Sequence, residues 1–107
     1  MKDRTFALSI PRAVKEGVAA RDSVDGWPCC ILCGRPAPTG NPLAFSNAHY
    51  ISRAQGGLGI EKNILTLCPR CHRRYDTTER NVLKPILARH LREHYENWTE
   101  SELLYRK

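Results

Sequence analysis

The sequence predicts a small α+β fold, a single domain over residues 1–107 held by one metal staple. Three observations carry this expectation. Two C-x-x-C pairs, Cys30–Cys33 and Cys68–Cys71, bracket a long insertion. Within the insertion, Leu43–Ser52 reads as a short strand or hairpin ending in His49, Tyr50 and Ile51. After the second pair, Asn81–Tyr95 places Leu83, Ile86, Leu87 and Leu91 at helical spacing. A chain of this length buries a small core, so a metal site is a plausible source of stability.

Residues 1–10 give no firm secondary-structure signal. A helix is expected over about 11–21, with Pro11 in its first turn, where the missing N–H costs nothing, and Val14 and Val18 on one face. Asp22–Gly26 reads as a turn, and Arg35–Pro42, rich in Pro, Gly, Thr and Asn, as a loop. Gln55–Gly59 contains three glycines and reads as a flexible connection. Asn63–Leu67 leads into the second cysteine pair, and Cys71–Asp76 looks like the start of a helix. The C-terminal helices are expected over about 81–105, the last of them short, over Glu100–Tyr105. Pro85 must lie in or near the first turn of its helix, otherwise it kinks it.

Composition narrows the function classes. Phe6–Ile10 is too short for a signal-peptide core and is interrupted by Pro11 and Arg12, and no apolar run approaches membrane-spanning length. The expected location is cytoplasmic, with no membrane partner. In a reducing compartment five cysteines point to metal or catalysis rather than disulfides. The formal net charge is +6. Residues 30–76 hold Arg35, Arg53, Lys62, Arg70, Arg73 and Arg74 against Glu61 and Asp76, a local excess of +4. Clustered positive charge attracts phosphate backbones.

The cysteine pairs have a specific chemistry. A two-residue spacer lets both thiolates of a tight turn face one ion, and two such knuckles, 30–33 and 68–71, complete the tetrahedral four-thiolate shell of structural zinc. Gly34 eases the turn after the first pair. Cys29 is left over, because Cys30 has the better spacing to Cys33. The alternatives are redox C-x-x-C motifs, or a site in which His72 replaces Cys71.

The segment Ala48-His49-Tyr50-Ile51-Ser52-Arg53-Ala54-Gln55-Gly56-Gly57, then Asn63-Ile64-Leu65-Thr66-Leu67-Cys68-Pro69-Arg70-Cys71-His72, resembles the HNH endonuclease family, in particular its small phage-type members. The resemblance covers roughly residues 12–78. It implies a ββα-metal core over about 43–78, also called a His-Me finger: a hairpin, a loop and a helix around one catalytic divalent ion. It also implies metal-dependent hydrolysis of DNA, leaving 5′-phosphate and 3′-hydroxyl ends. On this resemblance His49 is the general base, a role suited to a group that titrates near neutral pH. Asn63 holds the hairpin and orients the base. His72 binds the catalytic ion, which acts as a Lewis acid on the phosphate.

Asp76 lies four residues after His72, so on one helix the two share a face. A carboxylate there suits Mg2+ or Mn2+ as a second ligand; the alternative is a solvated acid. Ala48 departs from the family pattern, which commonly has Asp or His as a metal ligand before the base histidine. Four consequences are open: Asp76 compensates, a backbone carbonyl ligates, the ion is held loosely, or catalysis is impaired. Arg53, Arg73 and Arg74 are candidates for DNA phosphate contacts.

The expected activity is therefore an HNH endonuclease with a structural zinc. The alternative is a catalytically weak, zinc-stapled DNA-binding module, or a packaging-associated module docking on a larger phage or bacterial assembly. His90-Leu91-Arg92-Glu93-His94 formally matches the H-x-x-E-H metalloprotease pattern, but it continues the face of the long helix, where His90 and His94 border the core. Trp27 and Trp98 are expected to pack the core. Residues 95–107 are expected either to fold back as a cover or to extend the DNA-binding surface.

Overall fold

The computed structural model describes residues 2–106. Its helices are α1 (Lys2–Leu8), α2 (Arg12–Arg21), α3 (Pro69–Asp76) and α4 (Arg80–His94). Its strands are β1 (Ser23–Val24), β2 (Trp27–Pro28), β3 (Asn47–His49) and β4 (Ile64–Thr66). Two antiparallel ribbons form, β1 with β2 and β3 with β4. In the second, Asn47 pairs with Thr66, Ala48 with Leu65 and His49 with Ile64. Among the described residues no helix is long and apolar enough to cross a membrane.

The core lies between the β3–β4 ribbon, α3 and α4. Ala48, Tyr50, Leu65, Leu67, Tyr75, Leu83, Leu87 and Leu91 are buried together there. Strand alternation explains the split at β3: Ala48 points into this core while its neighbours Asn47 and His49 face outward. Tyr75 is fully buried, and its hydroxyl donates to the Tyr50 carbonyl at 2.6 Å, tying α3 to the chain just after β3.

A buried polar network joins α2 to the same ribbon. Asp22, directly after α2, accepts from Arg21 at 2.7 and 2.9 Å, from the Thr66 N–H at 3.0 Å and from His90 Nε2 at 2.9 Å. Arg21 also donates to the carbonyls of Ile64 and Glu61. Burial raises the Asp22 carboxyl, but the hydrogen bonds from His90 and Arg21 outweigh it and hold the group down at about 2.

Several sequence expectations change. Residues 2–8 form a helix where no signal stood out, and it is fixed by tertiary contact: Leu8 is 2% exposed. Pro11 flanks α2 as its N-cap rather than sitting in the first turn. Pro85 lies inside α4, a full turn from its start, so the Asn81 carbonyl lacks its helical N–H partner. Ile86 is 51% exposed, so the buried stripe of α4 is Leu83, Leu87, Ala88 and Leu91. Trp98 packs in the core and donates to the Lys62 carbonyl at 2.8 Å, whereas Trp27 is exposed and reaches the Ala37 carbonyl.

The Gln55–Gly59 connection is not loose. Its five N–H groups donate in turn to the carbonyls of Ser52, Arg53, Ser52, Leu103 and Ala7. The C-terminal segment, with a 3-10 turn at Glu100–Leu103, folds back as a cover, and the Tyr105 N–H donates to the Gly56 carbonyl at 2.7 Å.

Candidate functional site

Two sites lie on either side of α3. At its N-terminal end, the Sγ atoms of Cys30, Cys33, Cys68 and Cys71 all lie within 4.8 Å of one another. A zinc ion with Zn–S bonds of about 2.3 Å holds its sulfurs about 3.8 Å apart. The Cys33–Cys68 separation is 3.7 Å, so the donor set fits. The knuckle geometry follows from Gly34, whose φ of +77° carries the chain back so that its N–H donates to the Cys30 carbonyl at 2.9 Å. Cys68 caps α3, its sulfur accepting from the Cys71 N–H. Burial, with hydrogen bonding among the sulfurs, pushes the Cys71 thiol up to about 12. Only a cation among them makes four thiolates stable at neutral pH. Cys29 stays outside, half-buried, with its sulfur toward the Trp27 carbonyl.

On the other side a cleft of about 510 Å³ opens between β3 and α3. Asn47, His49, Ser52, Arg53, His72, Asp76 and Arg80 line it. The sequence-derived residues His49, His72, Asp76 and Arg53 therefore converge. The i, i+4 spacing on α3 sets His72 Nε2 3.1 Å from Asp76 Oδ2. Adjacent ligands of an octahedral ion at about 2.1 Å lie about 3.0 Å apart, so this pair of donors fits one. His72 Nδ1 meets the Ser46 hydroxyl at 3.0 Å.

His49 Nε2 lies 2.9 Å from the Leu8 carbonyl. A carbonyl only accepts, so Nε2 carries the hydrogen and Nδ1 is left with its lone pair. Burial lowers the His49 pKa, the Leu8 carbonyl opposes this, and the positive charge of Arg53 adds to the lowering. The imidazole is thus neutral at ordinary pH.

Asn63 does not line the cleft. It is fully buried. Its Oδ1 accepts from the Ile51 N–H at 2.8 Å, and its Nδ2 donates to the carbonyls of Ile51 at 3.1 Å and Leu58 at 2.9 Å. The Tyr50 N–H donates to the Asn63 carbonyl at 2.7 Å. Asn63 therefore pins the chain leaving His49 to the loop that follows. Gly57 makes room for this: a Cβ there would lie 1.7 Å from the Ile51 oxygen.

The three arginines differ. Arg53 is exposed at the cleft. Arg73 is exposed on α3 but does not line the cleft. Arg74 donates to both carboxylate oxygens of Glu79, at 3.0 and 2.7 Å. Sequence reasoning missed Asn47, Ser46, Arg80 and the Leu8 carbonyl. Asn47 had a signal, since a residue two before His49 on a strand shares its face. Arg80, four residues after Asp76, stacks on the Tyr75 ring at 4.2 Å and approaches Asp76 at 3.7 Å. The H-x-x-E-H residues disperse: His90 binds Asp22, His94 bonds the His90 carbonyl and Glu93 pairs with Arg89.

Residues 30–78, which hold both the four cysteines and the His49–Asp76 cleft, match the family model described as HNH endonuclease. No curated protein matches the chain.

Proposed function

We propose that the chain, whose residues 30–78 match the HNH endonuclease model, is a metal-dependent nuclease that nicks or cleaves DNA. The observation that carries this reading is the convergence of a neutral His49 with the His72–Asp76 donor pair across one cleft. The β3–β4 ribbon followed by α3 serves as the ββα-metal core, and Cys30, Cys33, Cys68 and Cys71 hold a structural zinc.

His49 Nδ1 takes a proton from water, whose oxygen attacks the phosphorus as the bond to the 3′-oxygen breaks. Asn63 acts at a distance: it fixes the loop so that the imidazole keeps its aim. A divalent ion such as Mg2+ or Mn2+, held by His72 and Asp76, would supply Lewis-acid stabilisation of charge on the phosphate and the departing oxygen. With an ion on Nε2, His72 would carry its hydrogen on Nδ1 and donate it to the Ser46 hydroxyl, 3.0 Å away. Arg53 and Arg80 place positive charge where a phosphate would enter. Arg73 extends that charge along α3, while Arg74 reaches DNA only by giving up Glu79.

A second reading has one observation behind it. Ala48 is buried in the core, so its side chain offers no ligand, and with His49 serving as the base the cleft keeps only His72 and Asp76 as metal donors. A zinc-stapled module that binds DNA, or docks on a larger phage or bacterial assembly without cutting, is consistent with that. A labelled duplex incubated with Mg2+ or Mn2+ separates the two. Shorter products that DNA ligase reseals, showing 5′-phosphate and 3′-hydroxyl ends, support the nuclease. Retarded but uncut duplex under every metal supports the binding module.

A further inference from the structure

Two groups at the cleft lie outside the matched segment, residues 30–78: Arg80 on α4, and the group against the His49 ring. The group facing the back of the His49 ring comes from α1, more than twenty residues upstream of that segment. Carbonyls in the last turn of a helix have no helical N–H to accept. In α1 two of them are taken up by the hairpin region: the Ala7 oxygen accepts from the Gly59 N–H at 3.0 Å, and the Leu8 oxygen from His49 Nε2 at 2.9 Å.

The approach is built, not incidental. The side chain of Leu8 is almost fully buried, which anchors the end of α1. Gly59 is the only residue type that admits it, because a Cβ at that position would lie 1.8 Å from the Ser9 oxygen. The Ser9 hydroxyl closes the helix end by donating to the Thr5 carbonyl at 2.7 Å.

We infer that α1 is a working part of the site, with the Leu8 carbonyl as the positioning group for His49. This rests on the reading of His49 as the base. The carbonyl selects the tautomer with hydrogen on Nε2, so the bare nitrogen is Nδ1, the one free to face the cleft. It also fixes the ring plane. When Nδ1 takes the proton, the Nε2–H of the imidazolium points at the carbonyl end of a helix, which favours positive charge. The chain thereby carries its own partner for the base histidine in a segment outside the matched domain.

The test uses the full-length, zinc-loaded chain and a Gly59→Ala variant, with Leu8→Ala as a second variant should the first fail to fold. Two readouts are taken: kcat and KM on duplex DNA, and the nitrogen-15 spectrum of the His49 ring, assigned by its loss in His49→Ala. The expected result is a kcat lower by about tenfold to a hundredfold with KM and zinc content unchanged. With it, the ring signal moves from the pure Nε2–H tautomer to a mixture. A folded variant that cuts at the wild-type rate, or a wild-type ring with its hydrogen on Nδ1, overturns the inference. The ring spectrum does not depend on turnover. A wild-type chain that never cuts, yet shows the Nε2–H tautomer lost in the variants, contradicts the nuclease reading and leaves the contact itself established.

Discussion

Asn63 and Ile51 form a closed pair, the carboxamide of one bonded to both backbone groups of the other, at 2.8 Å through the N–H and 3.1 Å through the carbonyl. This imitates a strand ladder beyond the end of β3, two residues after His49. Asn63→Ala leaves buried backbone groups unpaired and is expected to cost about 2–3 kcal/mol in urea unfolding. Asn63→Asp keeps the acceptor but turns the donor into a second acceptor facing the carbonyls of Ile51 and Leu58, so it fares no better. Cleavage should fall further than the lost folded fraction accounts for.

The zinc knuckles make a harsher prediction. Replacing Cys68 with serine removes a buried ligand while keeping a side chain that can still cap α3. Structural zinc contributes on the order of 10 kcal/mol in small domains, so the variant is expected to lose both zinc and its circular-dichroism signature. A folded, zinc-free Cys68→Ser chain would disprove the staple.

For the catalytic ion, Asp76→Ala and Ser46→Ala should separate from the zinc site. Removing Asp76 takes away one of two donors and should raise the metal concentration needed for cleavage by more than tenfold. Ser46→Ala frees the His72 ring to turn and should raise it by about tenfold. Zinc content, measured by elemental analysis, should be unchanged in both.

pH enters through two groups. Burial lowers the His49 pKa, so the neutral base persists below the ordinary histidine value, and the acid limb of the rate profile should fall below about pH 6.5. Asp22 acts on stability. Its carboxyl is held at about 2 in the fold against an ordinary 3.8, so its contribution of about 2 kcal/mol is fully present above 3.8 and is lost as pH falls toward 2. The stability gap between wild type and Asp22→Asn, read by urea unfolding, should therefore be constant between pH 7 and pH 5. A gap that shrinks across that window would show that the carboxylate is not held by Arg21 and His90.

What could be read from the sequence was what short spacings encode. Two-residue spacers reveal the cysteine knuckles, and a four-residue step reveals the His72–Asp76 pair, because local geometry alone brings those atoms together. The order of His49, Asn63 and His72 was legible only as a family resemblance. Contacts between distant segments were not legible. Residues 2–8 have weak periodicity and are organised by the burial of Leu8 and by bonds to Gly59 and His49, some 40 to 50 residues away. The Asp22–His90 bond spans 68 residues. Glycines at 56, 57 and 59 suggested looseness, but at 57 and 59 they mark close backbone approach, which composition does not distinguish from freedom. Ile86 fits the helical period yet lies on the exposed side, because the core covers a narrower stripe of α4 than the pattern offers.

On the proposed mechanism His49 and a divalent ion at His72 and Asp76 act on one phosphodiester. Conversion of supercoiled plasmid by purified protein tests it most directly, with Mg2+, Mn2+, Ni2+ or chelator, beside folded, zinc-loaded His49→Ala. Nicked or linear DNA is expected only when both the added metal and His49 are present, with a loss of at least about a hundredfold in the variant. Equal conversion by wild type and His49→Ala, or plasmid bound but intact under every metal, would contradict it.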